Sequence, residues 1–182
     1  MHHYRDLIKL FNQCFEKSEN TQLVKGESEP IYLPANEHCD YHQIVFANGF
    51  FASGLHEIAH WCIAGKQRRL LEDYGYWYCP DGRNKQQQAE FEQVELKPQA
   101  IEWAFSLAAN LPFQVSTDNL NGEQPDRAAF QSNVFQQLNE YQRNGFPPRA
   151  QIMLNALAAF YQVDLTANMC ASSLSSVQRR IA

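Results

Sequence analysis

Hydrophobic residues recur at helical spacing along much of the chain. From Tyr4 to Phe15 they lie three or four positions apart, which is typical of an amphipathic helix with one buried face. A similar pattern from Lys85 to Ala109 contains Pro98, and we expect the helix to kink or restart at that proline. The polar run Gln86–Gln88 in this helix is expected to form a solvated face. Two more helices are predicted to begin at prolines, since proline suits the first helical turn: one from Pro125 to near Gly145 and one from Pro147-Pro148 onward.

One segment is apolar on nearly all sides. Phe50–Ala64 reads FFASGLHEIAHWCIA, and its apolar residues cover most of a helical circumference. A helix of this kind is buried at the centre of a domain. Gly65 follows directly and provides a natural stop.

Three short segments are typical of strands. Ile31–Leu33 lies between two prolines, Ile44–Phe46 is a run of β-favouring residues, and Phe113–Ser116 is a weaker candidate. There is no internal repeat and no linker that would divide domains. The pattern therefore predicts an α+β fold, a compact helix-rich single domain with a small sheet and a buried central helix.

Composition narrows the class of protein. Of 182 residues, 45% are hydrophobic and 19% are charged, and 15 Lys+Arg against 20 Asp+Glu give a net charge of −5. Such a chain is too apolar to be disordered and too acidic to hold nucleic acid by overall charge. It has no run of 18 apolar residues and no signal-peptide pattern, so we expect a cytoplasmic protein without membrane spans.

The cysteines indicate free thiols. There are five, an odd number, and no CxxC pair occurs, which argues against a disulfide framework or a zinc ribbon. Free thiols are the rule in a reducing cytoplasm. Cys14 and Cys62 lie in apolar patterns and are expected to be buried.

The central helix carries His56-Glu57-Ile58-Ala59-His60, an HExxH motif. Residues four apart share a helix face, so both imidazoles can reach a single metal ion. Glu57 points away from that line and is better placed to act as a base or to hold a cationic substrate. Polar side chains on an otherwise apolar helix need partners, and this context favours metal binding over a chance motif.

A third ligand has to come from elsewhere in the chain. The long helix offers Glu90, Glu92, Glu95 and Glu102. At about 100° per residue, Glu92 falls opposite the apolar stripe, whereas the other three lie on its borders and can turn inward. Helix geometry does not choose among those three. The remaining histidines are expected to be solvent-exposed, with His42 alone kept as a possible ligand: His2, His3, His38 and His42.

Two histidines and a carboxylate serve several kinds of chemistry. They occur in zinc hydrolases, where Glu57 would be the general base, and in Fe(II) oxygenases, where open positions receive O₂. The extended metzincin motif is absent, because Ile63 occupies its glycine position. A structural metal site without catalysis is a further alternative.

The chain resembles the elongation factor P hydroxylase family over most of residues 3–165. The specific segments are EPIYLPA (29–35), IVFANGFFASGLHEIAHWCIAGKQRR (44–69), GYWYCPDGR (75–83), FEQVELKPQA (91–100) and PFQVSTDNL (112–120). HEIAHWCIAG together with GYWYCPDGR is far more specific than HExxH alone. The tail at 166–182 matches poorly, so the expected domain is 1–165.

The resemblance implies a compact α+β domain around one metal site with His56, His60 and Glu95 as ligands. It implies hydroxylation of the β-lysyl-modified lysine of elongation factor P, with O₂ and, by ligand type, Fe(II). No direct contact with nucleic acid is expected. The modified side chain is long and cationic, so its pocket needs acidic and aromatic groups, for which Glu57, Asp81 and the tyrosines of 74–78 are available. A single small domain leaves little room for a second cofactor, so electrons are expected from an external donor.

Overall fold

A computed structural model describes residues 2–75, 79, 81–117 and 119–169. The first element is helix α1, Tyr4–Glu19, whose buried residues Leu7, Leu10, Phe11 and Phe15 repeat at helical spacing. The His3 side chain accepts a hydrogen bond from the Arg5 amide, which caps the helix N-terminus. At the other end Asn20 adopts a left-handed conformation and turns the chain directly into a strand.

A small sheet follows α1. It has three strands, β1 (Thr21–Lys25), β2 (Ile31–Leu33) and β3 (His42–Phe46), in the order β1-β3-β2. β3 pairs parallel with β1 and antiparallel with β2. The two predicted strands at Ile31–Leu33 and Ile44–Phe46 are thus confirmed, and β1 is an addition that the sequence pattern did not reveal.

Four helices of at least 13 residues follow the sheet in the described part of the chain. Helix α2 spans Phe51–Ile63, α3 spans Lys85–Ala108, α4 spans Arg127–Asn144 and α5 spans Pro148–Tyr161. Helix α3 passes through Pro98 without a break, so a restart at that proline is wrong, while a kink there stays a prediction. Asp126 caps α4 by accepting from the Ala129 amide, and Pro148 is the first residue of α5.

Helix α2 lies at the centre, as predicted. Leu55, Ile58, Ala59 and Trp61 are fully buried. The helix packs against α1, β3, α3 and α5, which explains why it is apolar on nearly all sides. Arg149 of α5 donates hydrogen bonds to the carbonyls of Trp61 and Cys62, which satisfies the C-terminal end of α2.

The predicted strand at Phe113–Ser116 is wrong, because side chains occupy its backbone groups. Gln99 accepts from the Ser116 amide (3.0 Å) and donates to the Ser116 carbonyl (2.8 Å). Arg127 donates to the Val115 carbonyl (2.6 Å). The segment therefore meets its hydrogen-bonding needs without a neighbouring strand.

Gln88 is buried, although the Gln86–Gln88 run was expected to be a solvated helix face. Its amide oxygen accepts from Arg83 Nε (2.9 Å), and its nitrogen donates to the Thr117 carbonyl (3.3 Å). Arg83 is fully buried beneath the loop that precedes α3. The Arg83 side chain thus joins this loop to α3 and to the segment at Thr117.

The remaining expectations about burial hold in part. Cys62 is buried and Cys14 is partly buried against the core. His2, expected to be exposed, donates to the Ala109 carbonyl (2.6 Å) and packs on Phe51. Among the residues that the structure describes, no helix is both long and apolar enough to cross a membrane.

Candidate metal centre

Three side chains from two helices converge at one point. His56 and His60 extend from α2, and Glu95 extends from α3, with one ligand atom from each lying within 4.8 Å of the others. The two Nε2 atoms are 3.1 Å apart, and Glu95 Oε1 lies 3.1 Å from His60 Nε2. Glu95 Oε2 lies 3.5 Å from His56 Nε2. The three residues singled out in the sequence are thus neighbours in space.

Glu95 is the most deeply buried of the three. Its side chain is 2% exposed, and Oε1 has no hydrogen-bond partner. Burial alone would raise the pKa of this carboxyl, but the imidazoles of His60 and His56 and the Gln99 amide lower it to about 2. The group is therefore a carboxylate at neutral pH, and a buried anion with a free oxygen is well suited to bind a cation.

Glu102, one of the three glutamates that helix geometry left open, holds His56 from the other side. Its Oε2 lies 2.8 Å from His56 Nδ1. A carboxylate only accepts hydrogen bonds, so the hydrogen must sit on Nδ1. In neutral His56 the lone pair is then on Nε2, the atom that faces His60 and Glu95. The third candidate, Glu90, is exposed and accepts from Gln86 instead.

Gln99 connects Glu95 to the segment after α3. Its Nε2 lies 3.2 Å from Glu95 Oε2, while the same amide group binds both backbone groups of Ser116. Gln99 is itself 1% exposed, so these contacts are shielded from water. Because the amide contacts Oε2, the other oxygen, Oε1, is left for a ligand.

Glu57 lies next to this cluster. It is partly buried, and burial raises the pKa of its carboxyl, while the imidazoles of His56 and His60 oppose that shift. Asp73 also raises it, which places a second acidic group in the neighbourhood. A carboxyl that titrates closer to neutral pH is better able to accept and return a proton.

Other residues considered for the site have different surroundings. The Asp81 carboxylate accepts from the Gly82 amide and from Asn121, so it builds a turn. His42 accepts from the Ala35 amide and lies in the sheet rather than in the cluster. Tyr74 is buried and stacks on Tyr32 (ring centroids 4.4 Å apart). The tyrosines at 76 and 78 lie outside the described residues.

The donor set fits a divalent transition metal. Two imidazole nitrogens and one carboxylate oxygen are a common ligand combination for such ions, and they leave coordination positions open. The unpartnered Oε1 of Glu95 is an independent indication, because a buried anionic oxygen without a partner is costly. Most of the centre is enclosed, while the His56 side chain is 25% exposed and gives access from solvent.

Comparison with known proteins places the chain in a family. The family model described as elongation factor P hydroxylase matches residues 10–170. A protein of Haemophilus influenzae named elongation factor P lysine hydroxylase is 52% identical over 168 residues, which cover 92% of this chain and 94% of that protein. The chain therefore belongs to the elongation factor P hydroxylase family and is an enzyme of the hydroxylase class.

Proposed function

We propose that the enzyme hydroxylates the β-lysyl-modified lysine of elongation factor P at a non-haem Fe(II) centre, with O₂ as the oxygen source. The observation that carries the metal assignment is the convergence of His56, His60 and Glu95 on one point, with a buried carboxylate oxygen left unpartnered. The substrate assignment rests on the family and on the Haemophilus influenzae relative, which is named as a hydroxylase of a lysine of elongation factor P.

The protein's own groups hold and shield the centre. His56 and His60 contribute Nε2 atoms, and Glu95 contributes Oε1 from a side chain that water barely reaches. Fe(II) held by these residues would offer open positions for O₂, and an external reductant would supply the electrons for its activation. Burial of the surrounding residues excludes bulk water, which protects reactive species from side reactions.

Glu57 has two roles in this proposal. As a carboxylate it attracts the cationic side chain toward the metal, and burial raises its pKa, which makes it a better proton acceptor than an exposed glutamate. Asp73 adds to the negative charge beside it. Acidic groups beside the metal site suit a substrate whose modified lysine carries ammonium groups, because opposite charges attract strongly where water is limited.

The alternative of a zinc hydrolase with Glu57 as base rests on HExxH alone. The same motif lies in a chain that belongs to a hydroxylase family, and this membership favours oxygen chemistry. The ligand set is compatible with either metal.

The test is mass spectrometry of β-lysylated elongation factor P after incubation with the enzyme, Fe(II), O₂ and a reductant. We expect the factor to gain one oxygen atom with the parent enzyme and none with His56→Ala, because that variant lacks a ligand. Unmodified elongation factor P serves as the substrate control. No gain of mass with a fully iron-loaded parent enzyme would contradict the proposal, as would peptide cleavage that requires zinc but not O₂.

Metal binding is expected to release a proton. In the metal-free protein burial lowers the pKa of His56, but Glu102 and Glu95 outweigh it and raise the pKa well above its ordinary value. A protonated His56 must lose its proton to bind metal, so affinity should rise with pH from about pH 6.5, the ordinary pKa of histidine, upward. Calorimetric titration with Co(II) in buffers of different ionisation enthalpy measures the release. An affinity independent of pH over this range would contradict the prediction.

A further inference from the structure

The contact between His56 and Glu102 joins the two central helices next to the proposed metal. Glu102 Oε2 lies 2.8 Å from His56 Nδ1, on the side of the imidazole ring that faces away from His60 and Glu95. The two residues are 46 positions apart in sequence. The Glu102 side chain is 13% exposed, so the contact is mostly shielded from solvent.

The contact with Glu102 determines which nitrogen of His56 is left to bind a metal. Glu102 is not among the three side chains that meet at the shared point, and its carboxylate contacts Nδ1 of His56 instead. His56 Nδ1 cannot bind there either, since it donates to Glu102. Only Nε2 remains, and it lies 3.1 Å from His60 Nε2. The contact therefore fixes both the tautomer of His56 and the direction of its ring.

We propose that Glu102 is a positioning residue, which sets the tautomer and orientation of His56 for metal binding. This inference rests on the proposed metal site and adds a residue to it. An imidazole that binds a metal commonly donates its other N–H to a carboxylate, which orients the ring and makes the ligand nitrogen more basic. Without Glu102, His56 is free to adopt other ring orientations and the other tautomer.

The arrangement also explains why Glu95 and Glu102 have different functions on the same helix. Glu95 lies on α3 where α2 presents His60, and Glu102 lies about two turns further on, where α2 presents His56. Glu95 reaches the shared point directly, and Glu102 reaches the outer nitrogen of a ligand. One face of α3 thus supplies a ligand and the support for another.

The experiment compares Glu102→Ala, Glu102→Asp and Glu102→Gln with the parent protein. Alanine removes the acceptor and aspartate withdraws it by one methylene, so both should lower Co(II) affinity by about 10–100-fold and alter the absorption spectrum of the bound ion. Glutamine keeps an acceptor oxygen at the same reach and should recover most of the affinity and the parent spectrum. Glu90→Ala, an exposed glutamate on the same helix, is the matched control and should behave like the parent.

The outcomes separate the inference from the proposed function. If the parent protein binds no Co(II), the metal site itself is wrong. If the parent binds Co(II) and all three variants bind it equally well, Glu102 does not position His56. The inference is also overturned if glutamine is as damaging as alanine, because an acceptor oxygen then does not suffice. Circular dichroism of the metal-free variants checks that each is folded, and Glu102→Gln, as the closest in shape, keeps the test valid if Glu102→Ala does not fold.

Discussion

Replacing Glu95 with alanine is expected to abolish hydroxylation and to lower metal affinity by more than about 100-fold. This loss is larger than the one expected for Glu102→Ala, because Glu95 is proposed as a ligand and Glu102 as the support of one. The variant keeps two imidazoles but no anionic ligand, and two neutral nitrogens hold Fe(II) weakly. Circular dichroism of the metal-free variant checks that it folds, because Glu95 also contacts Gln99 and both histidines. Metal titration and mass spectrometry of the substrate measure the two losses.

The matched control for this variant is Glu92→Ala. Glu92 lies on the same helix one turn before Glu95, is partly exposed, and accepts from Gln88 at 3.1 Å. It should leave metal affinity unchanged. Parent-like affinity in Glu95→Ala would contradict the assignment of Glu95 as the carboxylate ligand.

Replacing Arg83 with alanine is expected to destabilise the protein by about 3–5 kcal/mol, because a cavity forms and buried acceptors lose a charged donor. Arg83 is fully buried and donates to Gln88 Oε1 and to the carbonyls of Cys79 and Thr117. Its guanidinium also lies 3.8 Å from the Phe91 ring centroid. Urea unfolding measures the change in the free energy of unfolding.

Two further variants make the Arg83 prediction specific. Arg143→Ala removes an exposed arginine that donates to the Asn139 carbonyl of its own helix, and it should change stability by less than about 0.5 kcal/mol. Arg83→Lys keeps the charge but not the planar guanidinium group, so its free energy of unfolding should lie between those of the parent and Arg83→Ala. An unfolding free energy of Arg83→Ala within about 1 kcal/mol of the parent would contradict the role assigned to the buried arginine.

The sequence predicted the elements whose determinants are local. Periodic apolar residues identify α1 and α2, and Pro148 begins α5 as predicted, whereas α4 begins at Arg127 rather than at Pro125. The helix-face argument also rejected Glu92 correctly, because the direction of a side chain around a helix follows from its position alone. The family resemblance then singled out Glu95, which the structure places beside both histidines.

The predictions that were wrong concern residues whose hydrogen bonds and burial depend on partners distant in sequence. Phe113–Ser116 has strand-like composition, yet Gln99 and Arg127 take the hydrogen-bonding groups that a strand would use. Gln88 is polar and was assigned to solvent, yet it is buried because Arg83 needs an acceptor there. The role of Glu102 depends on how α2 and α3 align, and no local pattern encodes that alignment.

The described side chains that meet at the centre come from two helices. Helix α2 carries H-E-x-x-H, and α3 carries Glu95, Gln99 and Glu102, a spacing of E-x₃-Q-x₂-E. The pair of patterns is compact enough to be sought together in other chains or grafted onto another pair of packed helices. A graft would need the same helix alignment and a substitute for the backbone of Ser116, which satisfies the Gln99 amide.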